Sequence, residues 1–130
     1  MLMPDWVLDK NFGPTHDDIV ASWGYNTLDT FKSESYQGDK CYLLKDFQGR
    51  IGLVVIGYGS CSACDELEAA KAEDDWRSIE MLSIKYRHSI HWENSKEELM
   101  HWCGFRYGKD WWAHDEKIQK WLIGHGAQLF

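Results

Sequence analysis

Two cysteines, Cys61 and Cys64, stand between a glycine-rich turn and a run of acidic residues. An apolar run at residues 51–56 comes before the turn, and a helix-forming segment follows the cysteines. This order predicts a strand, a glycine corner and a helix, with both thiols at the entrance to the helix. The positive end of a helix dipole stabilises a thiolate at that place. The corner, residues 57–64, is therefore the first candidate for chemistry.

Thiol-disulfide redox chemistry is one use of a Cys-x-x-Cys pair at a helix entrance, as in thioredoxin-type enzymes. Those enzymes hold a cis-proline opposite the thiols, whereas this chain has only Pro4 and Pro14, both far upstream. Asp65 and Glu66 place negative charge beside the pair, and like charge is expected to raise a thiol pKa. We therefore do not expect redox catalysis.

A structural zinc ion is an alternative use of the same thiols. Four ligands would be Cys61, Cys64, His88 and His91, which are the residue types that tetrahedral zinc prefers. The distance from Cys64 to His88 along the chain is much longer than in a zinc finger, and the histidines also fit an ordinary polar surface. Zinc is accordingly an alternative, and no cofactor is the first expectation.

The backbone of the corner offers a further alternative, the binding of a nucleotide or another anionic small ligand. Gly57, Gly59, Ser60 and Cys61 lead from a strand to a helix N-terminus, where free N–H groups attract anions. The segment lacks the third glycine of a dinucleotide-binding fingerprint and the lysine of a P-loop. A tight corner that needs glycine explains the same residues.

Acidic residues dominate the charge of the chain, with a formal net charge of -7. This charge argues against direct binding to nucleic acid or to an anionic membrane surface. Residues 65–80 hold seven acidic and two basic residues. This pattern has two interpretations: the solvated face of a helix, or a surface that binds a basic protein. On the second interpretation, the partner-binding residues are Asp65, Glu66, Glu73, Asp74 and Asp75.

The length and composition predict one globular domain over residues 1–130. The N-terminus does not show the basic and apolar pattern of a signal peptide, and no apolar run has the length of a membrane span. We therefore expect a cytoplasmic protein whose four cysteines are reduced.

The pattern of elements predicts an α+β fold, in which a small antiparallel sheet packs against several helices through tryptophans. Strands at residues 40–45 and 51–56 form a central hairpin, with Gly49 supplying positive φ in the loop and the second strand covered on both faces. Residues 89–92 suggest a third short strand. Residues 27–39 are polar, and we expect them to be irregular.

Capping patterns set the helix starts. Thr15 and Asp18 open a first helix that ends at Gly24, and Ser62 caps a helix that begins near Ala63 and runs to residues 73–75. Further helices are predicted over residues 76–85, after a capping box at residues 95–98, and over residues 114–123. Gly104 is expected to end the helix that follows residues 95–98.

Two segments carry a resemblance to known proteins: residues 35–39, Ser-Tyr-Gln-Gly-Asp, and residues 58–69, Tyr-Gly-Ser-Cys-Ser-Ala-Cys-Asp-Glu-Leu-Glu-Ala. They resemble a group of small bacteriophage and bacterial proteins that carry this cysteine motif and have no assigned activity. The resemblance implies an accessory phage protein that acts in the cytosol of a host bacterium. Since no complete catalytic set is apparent, we expect it to bind and inhibit a host or defence protein, such as a basic nucleic-acid-binding factor.

Overall fold

A computed structural model describes residues 14–33, 38–59, 65–72, 75–106 and 115–128. These residues form helices and one antiparallel sheet, which confirms the predicted α+β fold. Within them, no helix is long and apolar enough to cross a membrane. The elements in chain order are α1 (His16–Ser22), β1 (Asn26–Lys32), β2 (Gly38–Lys45), β3 (Ile51–Tyr58), α2 (Glu66–Ala72), α3 (Trp76–His88), β4 (His91–Glu93), α4 (Lys96–Arg106) and α5 (Glu116–Gly124).

The sheet is built around the β2–β3 hairpin, which the sequence predicted. Its strand order is β1-β2-β3-β4, and every neighbouring pair is antiparallel. The hairpin pairs Lys45 with Ile51 at one end and Gly38 with Tyr58 at the other. Gly49 in the connecting loop has φ of +85°, a conformation that glycine adopts without strain. The predicted short strand near residue 90 is β4, which pairs with the first half of β3 only.

Strand β1 lies where the sequence predicted irregular chain. It is an edge strand, and most of its side chains are exposed. The register of its pairing with β2 shifts between Thr27 and Asp29. An exposed edge strand does not need alternate apolar residues, so the strand left no apolar alternation in the sequence. Residues 34–37 of that predicted irregular segment lie outside the described residues.

Both faces of the central hairpin are covered, as predicted. On one face Cys41, Leu43 and Leu53 join buried residues of α4 and α5. On the other face the alternate residues, among them Tyr42 and Val54, join buried residues of α1, α2 and α3. The hairpin is therefore the middle layer between two groups of helices.

The described tryptophans pack against the core without being fully buried in it. The fully buried side chains are mainly leucine, isoleucine and valine. The described tryptophans are only partly buried and lie at the margins of the two clusters. A marginal position lets an indole N–H reach a polar partner, as Trp23 Nε1 reaches Ser83 Oγ at 3.0 Å and Trp121 Nε1 reaches Asp29 Oδ2 at 2.8 Å.

Several helix boundaries differ from their predicted positions. Helix α3 continues to His88 and α5 begins at Glu116, and two further differences have a structural cause. Helix α2 begins at Glu66, with the Asp65 side chain at its start, instead of at Ala63 after a Ser62 cap. Helix α4 continues through Gly104 to Arg106. Gly104 has a packing role there, because a Cβ at this position would overlap the backbone of Gln128.

Candidate binding site at the corner between β3 and α2

The carboxylate of Asp65 is the centre of the corner. Its residue is only 6% exposed, and its Oδ2 accepts a hydrogen bond from the Gly59 N–H at 2.9 Å. Its Oδ1 accepts from the N–H groups of Leu67 at 2.9 Å and Glu68 at 3.3 Å, in the first turn of α2. Asp65 therefore caps the helix and fixes the glycine corner to it.

This arrangement changes the predicted anion site. Of its four residues, Gly57 and Gly59 are described, whereas Ser60 and Cys61 lie outside the described residues. The Gly59 N–H is not available to a phosphate, because it already donates to Asp65. Gly57 is exposed on β3 and contributes to a different site, which is described below.

His16 lies behind the corner, with its Nε2 3.8 Å from Asp65 Oδ1. The ring is 4% exposed, packs edge-on to Tyr86, and its Nε2 has no hydrogen-bond partner among the described residues. Burial lowers the pKa of His16, and the nearby Asp65 charge opposes this effect. The imidazole is therefore neutral at neutral pH. The sequence predicted the cap at Thr15 but not this inward-facing histidine.

The predicted acidic surface is partly used inside the fold. Asp65 is buried, contrary to its predicted place on a partner-binding surface. Glu66 is exposed and pairs with Lys85 at 3.0 Å, while Asp75 caps α3 by accepting from the Ser78 N–H at 3.1 Å. The Ser78 hydrogen bonds lower the pKa of Asp75, so it stays ionised. The other two predicted residues, Glu73 and Asp74, lie outside the described residues.

The proposed zinc ligands are described only in part. His88 is exposed at the end of α3. His91 stacks on Trp102 with 3.7 Å between ring centroids, and its Nε2 lies 2.9 Å from Glu93 Oε1. The described ranges contain no group of three or more His, Cys, Asp or Glu residues arranged to hold a metal ion. Cys61 and Cys64 lie outside those ranges, so the zinc site stays a prediction.

A cavity of about 860 Å³ lies beside the corner, between the outer edge of β3 and the end of α3. Asp39, the second residue of β2, lines this cavity although the residue is only 5% exposed. Its other lining residues are Gly38, Val55, Ile56, Gly57, Tyr58, Glu66, Lys85, Tyr86 and Ser89. The volume is within the range of pockets that bind small ligands or single side chains.

The Asp39 carboxylate accepts no hydrogen bond from any residue that the structure describes. The Asp39 backbone is bonded to Ser33, with its N–H donating to Ser33 Oγ at 3.5 Å and its carbonyl accepting from the Ser33 N–H at 3.1 Å. The Ser33 hydroxyl donates instead to Asp115 Oδ2 at 3.1 Å. Burial, helped by the Asp115 charge, raises the pKa of Asp39 to about 6. Near neutral pH the site therefore holds a largely buried negative charge that has no donor among the described residues and whose oxygens solvent still reaches.

Gly57 opens the path to this carboxylate. It is the cross-strand partner of Asp39, and a Cβ on Gly57 would lie 3.9 Å from Asp39 Oδ1. Any larger side chain would extend over the carboxylate. A glycine inside a strand often marks a close approach by a ligand or another backbone, and this was the available sequence signal for the site.

Two tyrosines line the cavity on the face of the sheet opposite Asp39. Tyr58 and Tyr86 both line it, and Lys32 Nζ already lies 4.9 Å from the centroid of the Tyr58 ring. Tyrosine rings attract ammonium and guanidinium groups by the cation–π interaction. The Glu66–Lys85 pair is exposed at the rim and is therefore weak. The arrangement is suited to a cationic group, the opposite charge to the predicted anion.

Comparisons of the chain with protein-family models, with curated proteins and with solved structures found no match.

Proposed function

We propose that the protein acts by binding and that its partner is a basic segment of a bacterial protein, which inserts a Lys or Arg side chain beside Asp39. Binding would inhibit that protein, whose class is a host or defence factor, for example one that itself binds nucleic acid. The corner cavity replaces the whole acidic stretch as the binding site, with Asp39 as the anchor and Glu66 at the rim.

The observation that carries this proposal is the largely buried Asp39 carboxylate, which has no hydrogen-bond donor among the described residues. A buried charge without a partner is unfavourable, and a charge-assisted hydrogen bond from a ligand would remove that penalty. Gly57 leaves the carboxylate accessible to a basic side chain. These contacts favour a basic side chain over an anionic or apolar ligand.

Two properties of the whole chain support a basic macromolecular partner. The net charge of -7 favours encounter with a positively charged surface. The resemblance to small bacteriophage and bacterial proteins is the reason to expect that partner inside a bacterium.

The proposal is tested with a fluorescein-labelled pentapeptide, Thr-Val-Arg-Val-Thr with blocked ends, and with a citrulline peptide that lacks only the positive charge. Fluorescence anisotropy measures the dissociation constants for the natural protein and for Asp39→Asn and Glu80→Gln. Glu80→Gln is the matched control, since it removes one negative charge from α3 at a residue that does not line the cavity.

We expect Asp39→Asn and citrulline each to weaken binding by about tenfold or more, and Glu80→Gln to change it by less than about twofold. Equal weakening by Asp39→Asn and Glu80→Gln would indicate attraction to the acidic stretch in general and would contradict the corner site. Absence of measurable binding by the arginine peptide would contradict the proposed function.

A further inference from the structure

The hydrogen-bonding direction of β3 follows from the hairpin. The Asp46 N–H donates to the Arg50 carbonyl at 3.0 Å, and hydrogen-bonded pairs alternate with non-bonded pairs along antiparallel strands. The even-numbered residues of β3 therefore bond to β2. On the other side of β2, the Ser33 N–H donates to the Asp39 carbonyl at 3.1 Å, which agrees with this alternation. Val55 and Gly57 consequently direct their N–H and C=O groups away from β2.

Strand β4 covers only part of this outer edge. It begins at His91, which pairs with Leu53. The second half of β3 therefore has no neighbouring strand on this side among the described residues. The chain before β4 turns into the end of α3, where Ser89 is the C-cap. Lys85, Tyr86 and Ser89 therefore form the far wall of the cavity in the place where β4 would have continued. The cavity is a gap in the sheet, open along the edge of β3.

We infer that the basic partner binds this gap as an extended strand, antiparallel to β3 and in line with β4. The inference rests on the proposed function and specifies its binding mode, β-strand addition. The backbone of the added strand would bond to Val55 and Gly57, while its side chains would alternate between the two faces of the sheet.

The alternation of faces defines the sequence of the added strand. A residue opposite Gly57 lies on the Asp39 face, two strand spacings or about 10 Å from Asp39. A Lys or Arg side chain can cross the uncovered Gly57 backbone over that distance. The residues before and after it lie on the other face, beside Tyr58 and Tyr86. The expected partner segment is therefore a basic residue between two apolar ones.

Backbone N-methylation of the same pentapeptide tests the binding mode separately from the charge. A methyl group on the arginine nitrogen removes the N–H that would donate to Gly57, whereas a methyl group on the second valine nitrogen modifies an N–H that would point away from β3. We expect the first peptide to bind at least about tenfold more weakly than the parent and the second to bind within about threefold of it.

Amide hydrogen exchange of Val55 and Gly57, followed by NMR, gives a second readout on the protein itself. In the free protein we expect both amides to exchange rapidly, and saturating peptide should slow both by about tenfold or more. Slow exchange in the free protein, or a dimer in sedimentation that the peptide does not dissociate, would show that this chain or a second copy already covers the edge. Either result would overturn the inference.

The results separate this inference from the proposed function. If both N-methylated peptides bind like the parent while Asp39→Asn still weakens binding, strand addition is wrong and the cation site stands. If the arginine N-methyl group weakens binding while citrulline and Asp39→Asn have no effect, the edge binds peptides without the proposed charge recognition. A parent peptide that does not bind overturns both.

Discussion

Asp65 and Asp39 are two buried carboxylates at the same end of the sheet, and they differ in what surrounds them. Asp65 accepts hydrogen bonds from three backbone N–H groups and connects β3 to α2. Asp39 accepts none from the described residues. The charged group that helps to raise its pKa is another carboxylate, Asp115. Their degrees of burial are almost equal.

This difference distinguishes an acid that stabilises the fold from an acid that is available to a ligand. Removal of Asp65 would leave buried donors without a partner, whereas removal of Asp39 would leave none. Burial alone therefore does not identify a binding residue; the hydrogen-bond partners do. Stability measurements on single substitutions test the comparison directly.

The largest effect is expected for Asp65→Ala. It removes the cap of α2 and leaves the Gly59 N–H without its acceptor, so we expect the free energy of unfolding to fall by about 3 kcal/mol. Urea unfolding followed by circular dichroism measures the change. Asp65→Asn retains one acceptor oxygen and should lose about half as much. A loss below about 1 kcal/mol for Asp65→Ala would mean that the corner does not depend on this carboxylate.

Asp39→Asn is expected to have the opposite sign. The substitution removes a largely buried charge that has no donor among the described residues, so the free energy of unfolding near neutral pH should increase, by an amount on the order of 1–2 kcal/mol. The same urea titration measures it. Destabilisation of similar size would show that Asp39 has a structural role and would remove the contrast with Asp65.

The pH dependence of that difference has a defined sign. Folding raises the pKa of Asp39 to about 6, so the folded state binds its proton more tightly than the unfolded state does. The contribution of the bound Asp39 proton to the free energy of unfolding is fully present below about pH 4, the ordinary pKa of aspartate. It is lost as the pH rises through about 6. The advantage of Asp39→Asn over the natural protein should therefore grow across this interval and stay constant above it.

The sequence was sufficient for the hairpin, and physical reasons explain why. The apolar run of β3 is buried on both faces, and Gly49 marks the turn, so the local pattern and the tertiary position agree. Strand β1 was missed because its edge position leaves its side chains exposed, and no alternation of apolar residues results. Gly104 predicts a helix end from its residue type alone, but α4 continues through it, and the close approach of Gln128 requires glycine there.

The candidate site was less accessible to sequence reasoning. The glycines at residues 57 and 59 drew attention to this corner, but the Gly59 N–H that the predicted anion site would use donates to Asp65 instead. Asp39 lies eighteen positions before Gly57, and only the strand register makes them neighbours. The hydrogen bond from the Gly59 N–H to Asp65 likewise depends on how the chain turns between these residues, and local capping patterns do not specify that turn.

The smallest effect is expected at His16, which is next to Asp65 but accepts and donates no hydrogen bond through Nε2 in the described structure. Its pKa is lowered by burial, so below the ordinary histidine value of about 6.5 the unfolded state binds a proton that the folded state does not. The natural protein should therefore lose stability from this group as the pH falls from about 7.5 to 5.5, on the order of 1 kcal/mol.

His16→Phe retains an aromatic ring beside Tyr86 and lacks the titrating proton. Urea titrations of both proteins at each pH cancel the contribution of Asp39. A difference that does not change with pH would show that folding leaves the pKa of His16 unchanged, and a difference of the opposite sign, with the natural protein gaining stability as the pH falls, would show that His16 is protonated in the fold and paired with Asp65.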